Sequence, residues 1–289
     1  MSAGWVAAGV RAKGLSRRRI GHEQARAVAT LPTLQDAVSA LAGTPYGAAM
    51  RDATNLAACQ RAVDATLLWH LRILAGWCPP PGSAMVRTLA AGFELRNVVD
   101  HLLRLRGRPV PAPFVLGSLA TAWTSVATTR TPSEVRLALS RSAWGDPLSE
   151  DPAGVLLALN FAWAARVYDQ VPEAARWARA AAGFLIDRAR QAGAVAALPA
   201  GARRQAAHVL GPRWDSPEPS GGAVGKRELD WWREVEADSS TLAARPPQGE
   251  AIVVGVTGLL AADARITRAA LAIAAAGGGE VGVIVDAVG

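Results

Sequence analysis

The residues whose types could carry chemistry are few and scattered. The chain has four histidines, His22, His70, His101 and His208, and they fall in different segments. None has a Cys, Asp or Glu at the spacing of a zinc site. Cys59 and Cys78 are the only cysteines. They form no Cys-x-x-Cys pair and no disulfide framework, which fits a reducing compartment. The sequence holds no Gly-x-Ser-x-Gly elbow, no His-Glu-x-x-His and no carboxylate pair in apolar surroundings. His70 and Cys59 lie beside or within an apolar stripe and read as helix and core residues.

Two glycine-rich stretches invite a nucleotide. Gly221–Arg227 (GGAVGKR) is one residue short of a phosphate loop, and Arg227 stands where a hydroxyl would hold Mg²⁺. Pro and Ser precede it, where a phosphate loop follows a strand. Ile252–Gly258 (IVVGVTG) and Val281–Val285 (VGVIV) flank an Ala-rich run, as in a small β-α-β unit, without the Gly-x-Gly-x-x-Gly fingerprint. The competing and favoured reading is one helix over 252–276 with Asp263, Arg265 and Arg268 on its polar side. The expectation is therefore no catalytic residue, no cofactor and no metal.

The elements that must position these residues read as α-helical. The 289 residues are 51% hydrophobic and rich in Ala, Leu and Arg, which favour helices. Net charge is +7, and only Lys13 and Lys226 of the 31 basic residues are lysines. These charges read first as solvated helix faces, and second as complements to an acidic partner. A nucleic-acid reading rests on Arg17-Arg18-Arg19 and the net charge, but the basic residues are spread over every helix with few aromatics interleaved. No signal peptide is expected at residues 1–19, and no apolar run reaches the roughly 20 residues of a membrane span.

A repeat organises the chain. Residues 33–50 (TLQDAVSALAGTPYGAAM) align with 131–148 (TPSEVRLALSRSAWGDPL) at a constant offset of 98. Thr33 meets Thr131, Asp36 meets Glu134, Leu41 meets Leu139, Thr44 meets Ser142, Tyr46 meets Trp144 and Gly47 meets Gly145. Each copy predicts an N-cap hydroxyl with a carboxylate three residues on, reaching back to the cap amide. Pro132 suits a first helical position. A weaker third copy lies at Arg203–Ser216.

Around the repeats, Arg51–Trp77 predicts one helix, ended by Pro79-Pro80-Pro81-Gly82, and Ser83–Arg106 another, ended by Gly107. Pro109, Pro111 and Pro113 predict a stiff connector. Residues 118–127, 152–167 and 172–191 read as helices, 211–225 as a mobile linker, and a last helical unit starts near Lys226. The expected fold is all-α, in two to three repeated helical units with room for minor β structure at the C-terminus. The units expected are 1–107, 108–210 and a smaller or divergent 211–289.

Trp5–Ile20 (WVAAGVRAKGLSRRRI), Leu41–Tyr46 (LAGTPY), Phe93–Asn97 (FELRN) and Leu103–Gly107 (LRLRG) resemble the central-stalk coupling subunit of V/A-type ATPases, the C-type family that has a eukaryotic V-ATPase relative. The chain is shorter than typical members, and the acidic–Asn pattern is not evident in its last unit.

The resemblance implies three related helical domains around a pseudo-threefold axis. It implies a non-catalytic coupling subunit that binds no nucleotide and sits between the rotor shaft and the membrane proteolipid ring. Partners would be shaft subunits and that ring, with no nucleic acid, no homo-oligomer, and membrane contact only through partners in the cytoplasm. Arg11, Arg17, Arg96, Arg104 and Arg106, carried over from the motif positions, would touch partners or simply cap and solvate helices. The alternatives are a helical nucleic-acid-binding regulator and a small nucleotide-binding enzyme using the Gly-rich C-terminal segment.

Overall fold

The computed structural model describes residues 3–215, 224–246 and 249–279. Among them the chain is all-helical, with no strand. The helices are α1 (Ala3–Ser16), α2 (Gly21–Ala29), α3 (Leu34–Ala40), α4 (Gly47–Met50), α5 (Leu56–Trp77), α6 (Pro80–Leu89), α7 (Gly92–Leu105), α8 (Trp123–Val126), α9 (Pro132–Ser140), α10 (Pro152–Gln170), α11 (Ala175–Gln191), α12 (Ala200–Leu210), α13 (Val224–Ala243) and α14 (Glu250–Ala275). They form two compact units. One comprises residues 1–83 and 232–289, the other 84–231. These are units of contact, whereas the consecutive division at 107 and 210 follows the repeat copies.

In the first unit α14 is the central element, packed on α1, α2, α3 and α5. It is apolar on nearly every side, with Ile252, Val253, Val254, Val256, Ile266 and Leu271 all buried. A helix apolar all round must sit inside its unit. This resolves the C-terminal ambiguity: Ile252–Gly258 is helical, not a strand, because its β-branched residues find helical neighbours on every face. Val281–Val285 lies outside the described residues. Asp263 is likewise corrected. It is 2% exposed, not on a solvated side.

In the second unit α10 packs on α7, α11 and α12. One cluster joins Val98, Leu102, Val135, Leu139, Trp144 and Leu159, and another joins Phe161, Ile186, Ala202 and Val209.

Several boundaries differ from the sequence expectation. The helix expected over Arg51–Trp77 starts at Leu56, because Asn55 caps it by accepting from the Ala58 N–H at 2.9 Å. Pro80 and Pro81 do not hold the next helix off to Ser83. They form its first turn, where a missing N–H costs nothing. The single helix expected over Ser83–Arg106 breaks at Ala90–Ala91 into α6 and α7.

The capping pattern also differs in detail. Thr33 and Thr131 each accept from the N–H three residues on, at 3.1 and 3.2 Å. Glu134, however, accepts from the Arg130 N–H, one residue before the cap, and Asp36 accepts from the Thr33 hydroxyl. Most of the expected linker (216–223) and the first glycines of GGAVGKR fall outside the described residues. Lys226 and Arg227 lie in α13, bound to Asp230 and Asp187. No helix of the described residues is long and apolar enough to cross a membrane.

Candidate functional site

Among the described residues the histidines pair separately with different partners. His22 meets Glu236 at 2.8 Å, His208 meets Asp169 at 2.8 Å, and His101 meets the Thr129 hydroxyl at 3.0 Å. Burial, with the charges of Arg18 and Arg11 beside it, lowers the pKa of His70 to about 4. Burial raises both thiols, Cys78 to about 11, so neither offers a thiolate near neutral pH. No cluster of three His, Cys, Asp or Glu suited to a metal occurs among the described residues.

What the polar residues build instead is a pair of buried knots. In the second unit Glu94, 1% exposed, projects from α7. Its Oε1 accepts from the N–H groups of Thr121, Ala122 and Trp123 at 2.8, 2.7 and 2.6 Å. These amides open α8 and have no partner within a helix. Its Oε2 accepts from Trp144 Nε1 at 2.8 Å. The Arg166 guanidinium lies 4.9 Å over the Trp144 ring, and burial lowers its pKa against the pull of Glu94.

In the first unit Asp263 of α14 does the same work. Its Oδ1 accepts from the Gly21 N–H at 2.9 Å, and its Oδ2 from the Ile20 N–H at 3.3 Å. These amides open α2. Oδ2 also accepts from the Tyr46 hydroxyl at 2.8 Å. Burial, then the Asp263 charge, raises the Tyr46 phenol well above its ordinary value.

Tyr46 and Trp144 are presented by matching turns. The Thr44 and Ser142 hydroxyls each donate to the carbonyl three residues back, Leu41 and Leu139, at 2.7 Å. The N–H of each aromatic donates to that same hydroxyl, at 3.3 and 3.2 Å. The glycine after each aromatic has its own reason. A Cβ on Gly47 would enter the Ala42 backbone, and Gly145 has a φ of 74°.

Along α7 the acidic–Asn motif continues this fastening. Asn97 exchanges two hydrogen bonds with the Phe114 backbone, at 2.7 and 2.9 Å, and His101 lies one turn further on. Glu94, Asn97 and His101 thus tie the segment 114–129 to one stripe of α7.

The five arginines expected at partner surfaces are dispersed. Arg17 is exposed in the turn after α1 and Arg96 is exposed on α7, while Arg11 is half-buried, its Nε enclosed. Arg104 donates to the Pro111 carbonyl at 3.0 Å, and Arg106 pairs with Asp151 at 3.0 Å while both side chains stay open to solvent. Those two brace the end of α7 and the start of α10. Sequence reading missed the Asp263–Tyr46 and Glu94–Trp144 partnerships. The equal offset of the two aromatics was the signal that could have found them.

The chain matches no family model and no curated protein.

Proposed function

We propose that the chain is a non-catalytic coupling subunit of a rotary V/A-type ATPase, placed between the rotor shaft and the membrane proteolipid ring and peripheral to the membrane. The observation that carries this reading is the duplicated knot. A buried carboxylate gathers the opening amides of a short helix and one aromatic from the next turn, in each of two compact units. It supports a chain built from copies of one helical unit, as the resemblance implies. A torque-bearing part needs stiffness more than chemistry. A buried carboxylate with three or four N–H and O–H donors fastens three elements at one point, and opening it would leave a charge uncompensated in a dry interior.

Native-membrane co-purification tests the reading. A tagged chain is expected to recover catalytic-head or shaft subunits and the proteolipid in fixed proportion. Recovery of nucleic acid, or of no ATPase component, overturns it.

A further inference from the structure

The first unit carries a groove of about 350 Å³ on its surface. Its walls are Pro45, Ala48 and Ala49 at the α4 turn, Ala65 and Trp69 on α5, and Arg18 after α1, with Thr66 and His70 behind. The three alanines are small and at least partly exposed, which is what leaves the hollow. Trp69 is 47% exposed, although its ring meets His70 at 5.2 Å between centroids. An indole left this open beside small apolar residues is the composition of a contact hot spot.

The charge in the groove's lining is positive, while the exposed Asp52 follows α4 outside that lining. Arg18 is the only ionised group in the lining, and no carboxylate lines it. Arg61 and Arg72 stand about one helical turn either side of Ala65 and Trp69 on α5. Asp64, the acid nearest in sequence, faces away into an ion pair with Arg268 at 2.5 Å.

We propose that this groove docks an acidic, amphipathic segment of a protein partner, whose apolar side chain fills the hollow between Ala48, Ala65 and Trp69 while a carboxylate meets Arg18. Opposite charge at the rim sets the register, and the indole supplies the buried area. The inference rests on reading the chain as a binding subunit. Its test uses purified full chain and a synthetic peptide, so it fails or succeeds independently of which stalk components co-purify.

The probe is a short fluorescent helical peptide of Leu, Ala and Glu, with a counterpart carrying Lys in place of Glu, read by anisotropy. Binding of the Glu peptide alone is expected. Arg18→Glu and Trp69→Ser are each expected to weaken it by about tenfold or more, with thermal midpoints unchanged. Ala65→Phe, which fills the groove from an exposed position and leaves Arg18 in place, is expected to do the same should either variant fold poorly. Equal binding of both peptides, or indifference to all three substitutions, overturns the proposal. So does binding of phosphatidylserine vesicles in preference to the Glu peptide, which would make the groove a lipid contact.

Discussion

Trp144 Nε1 donates to Glu94 Oε2 at 2.8 Å across 50 residues of chain, while Arg166 covers the same indole ring. The aromatic is therefore held edge-on by an anion and face-on by a cation. Glu94→Gln keeps the volume but turns an amide NH₂ toward N–H donors. A loss of about 3 kcal/mol or more is expected, the range for breaking a buried charged network. Trp144→Phe keeps most of the apolar contact and loses one hydrogen bond, so about 1–3 kcal/mol is expected. Urea unfolding reads both. The double variant should lose less than the sum, because the two residues share one interaction. Strict additivity would show that the contact carries no coupling.

The corresponding contact in the other unit makes a pH prediction. Tyr46 is neutral in the folded chain at pH values where an unfolded tyrosine ionises, so the unfolded state releases a proton that the folded state keeps. Stability is therefore full below the ordinary tyrosine value of about 10 and falls as pH rises past it. Absorbance of phenolate against pH should show one tyrosine ionising only with loss of helical circular dichroism. Tyr46→Phe should remove that step. A wild-type titration in which Tyr46 ionises before any unfolding would contradict its enclosure against Asp263.

Much of this was legible in the sequence, for physical reasons that differ by residue. The helices of the repeat were readable because Thr33 and Thr131 must satisfy their own first turns, a local requirement. The role of Glu94 was not, because its partners at 121–123 and 144 are remote, and a carboxylate three residues before an Asn looks the same when it faces solvent. Asp263 was misplaced for the same reason. On α14 it shares its helix with Arg265 and Arg268, and a charged stripe normally faces water. Arg268 instead reaches Asp64, and Arg265 lies 5.6 Å from the Trp232 ring. The break between α6 and α7 falls at Ala90–Ala91, just before Gly92, and the apolar periodicity runs through it.

His70 gives a second, acid-side prediction. Its folded-state pKa of about 4 lies below the ordinary histidine value of about 6.5, so the unfolded chain takes up a proton first as pH falls. Its contribution is whole above about 6.5 and is lost between there and about 4. Denaturant midpoints followed over this window should drop more steeply for the wild type than for His70→Gln. Identical profiles would mean that His70 titrates normally in the folded chain.

Gly255 marks where the dinucleotide alternative gives way to packing. A Cβ there would lie 2.6 Å from the Ala243 nitrogen, 2.7 Å from the Ser239 carbonyl oxygen and 2.7 Å from Leu242 Cβ. Two of these are backbone atoms of α13 and cannot turn aside. Gly255→Ala gains about 1 kcal/mol of helix propensity, yet forces two helices apart, which typically costs about 1–3 kcal/mol. Net destabilisation is expected, with no change in any bound nucleotide. Gly183 on α11 is the control, since a Cβ there meets nothing within 4 Å. Gly183→Ala should therefore stabilise by about 0.5–1 kcal/mol. Opposite signs for these two substitutions in thermal unfolding would assign Gly255 to helix packing. A stabilising Gly255→Ala would remove that assignment.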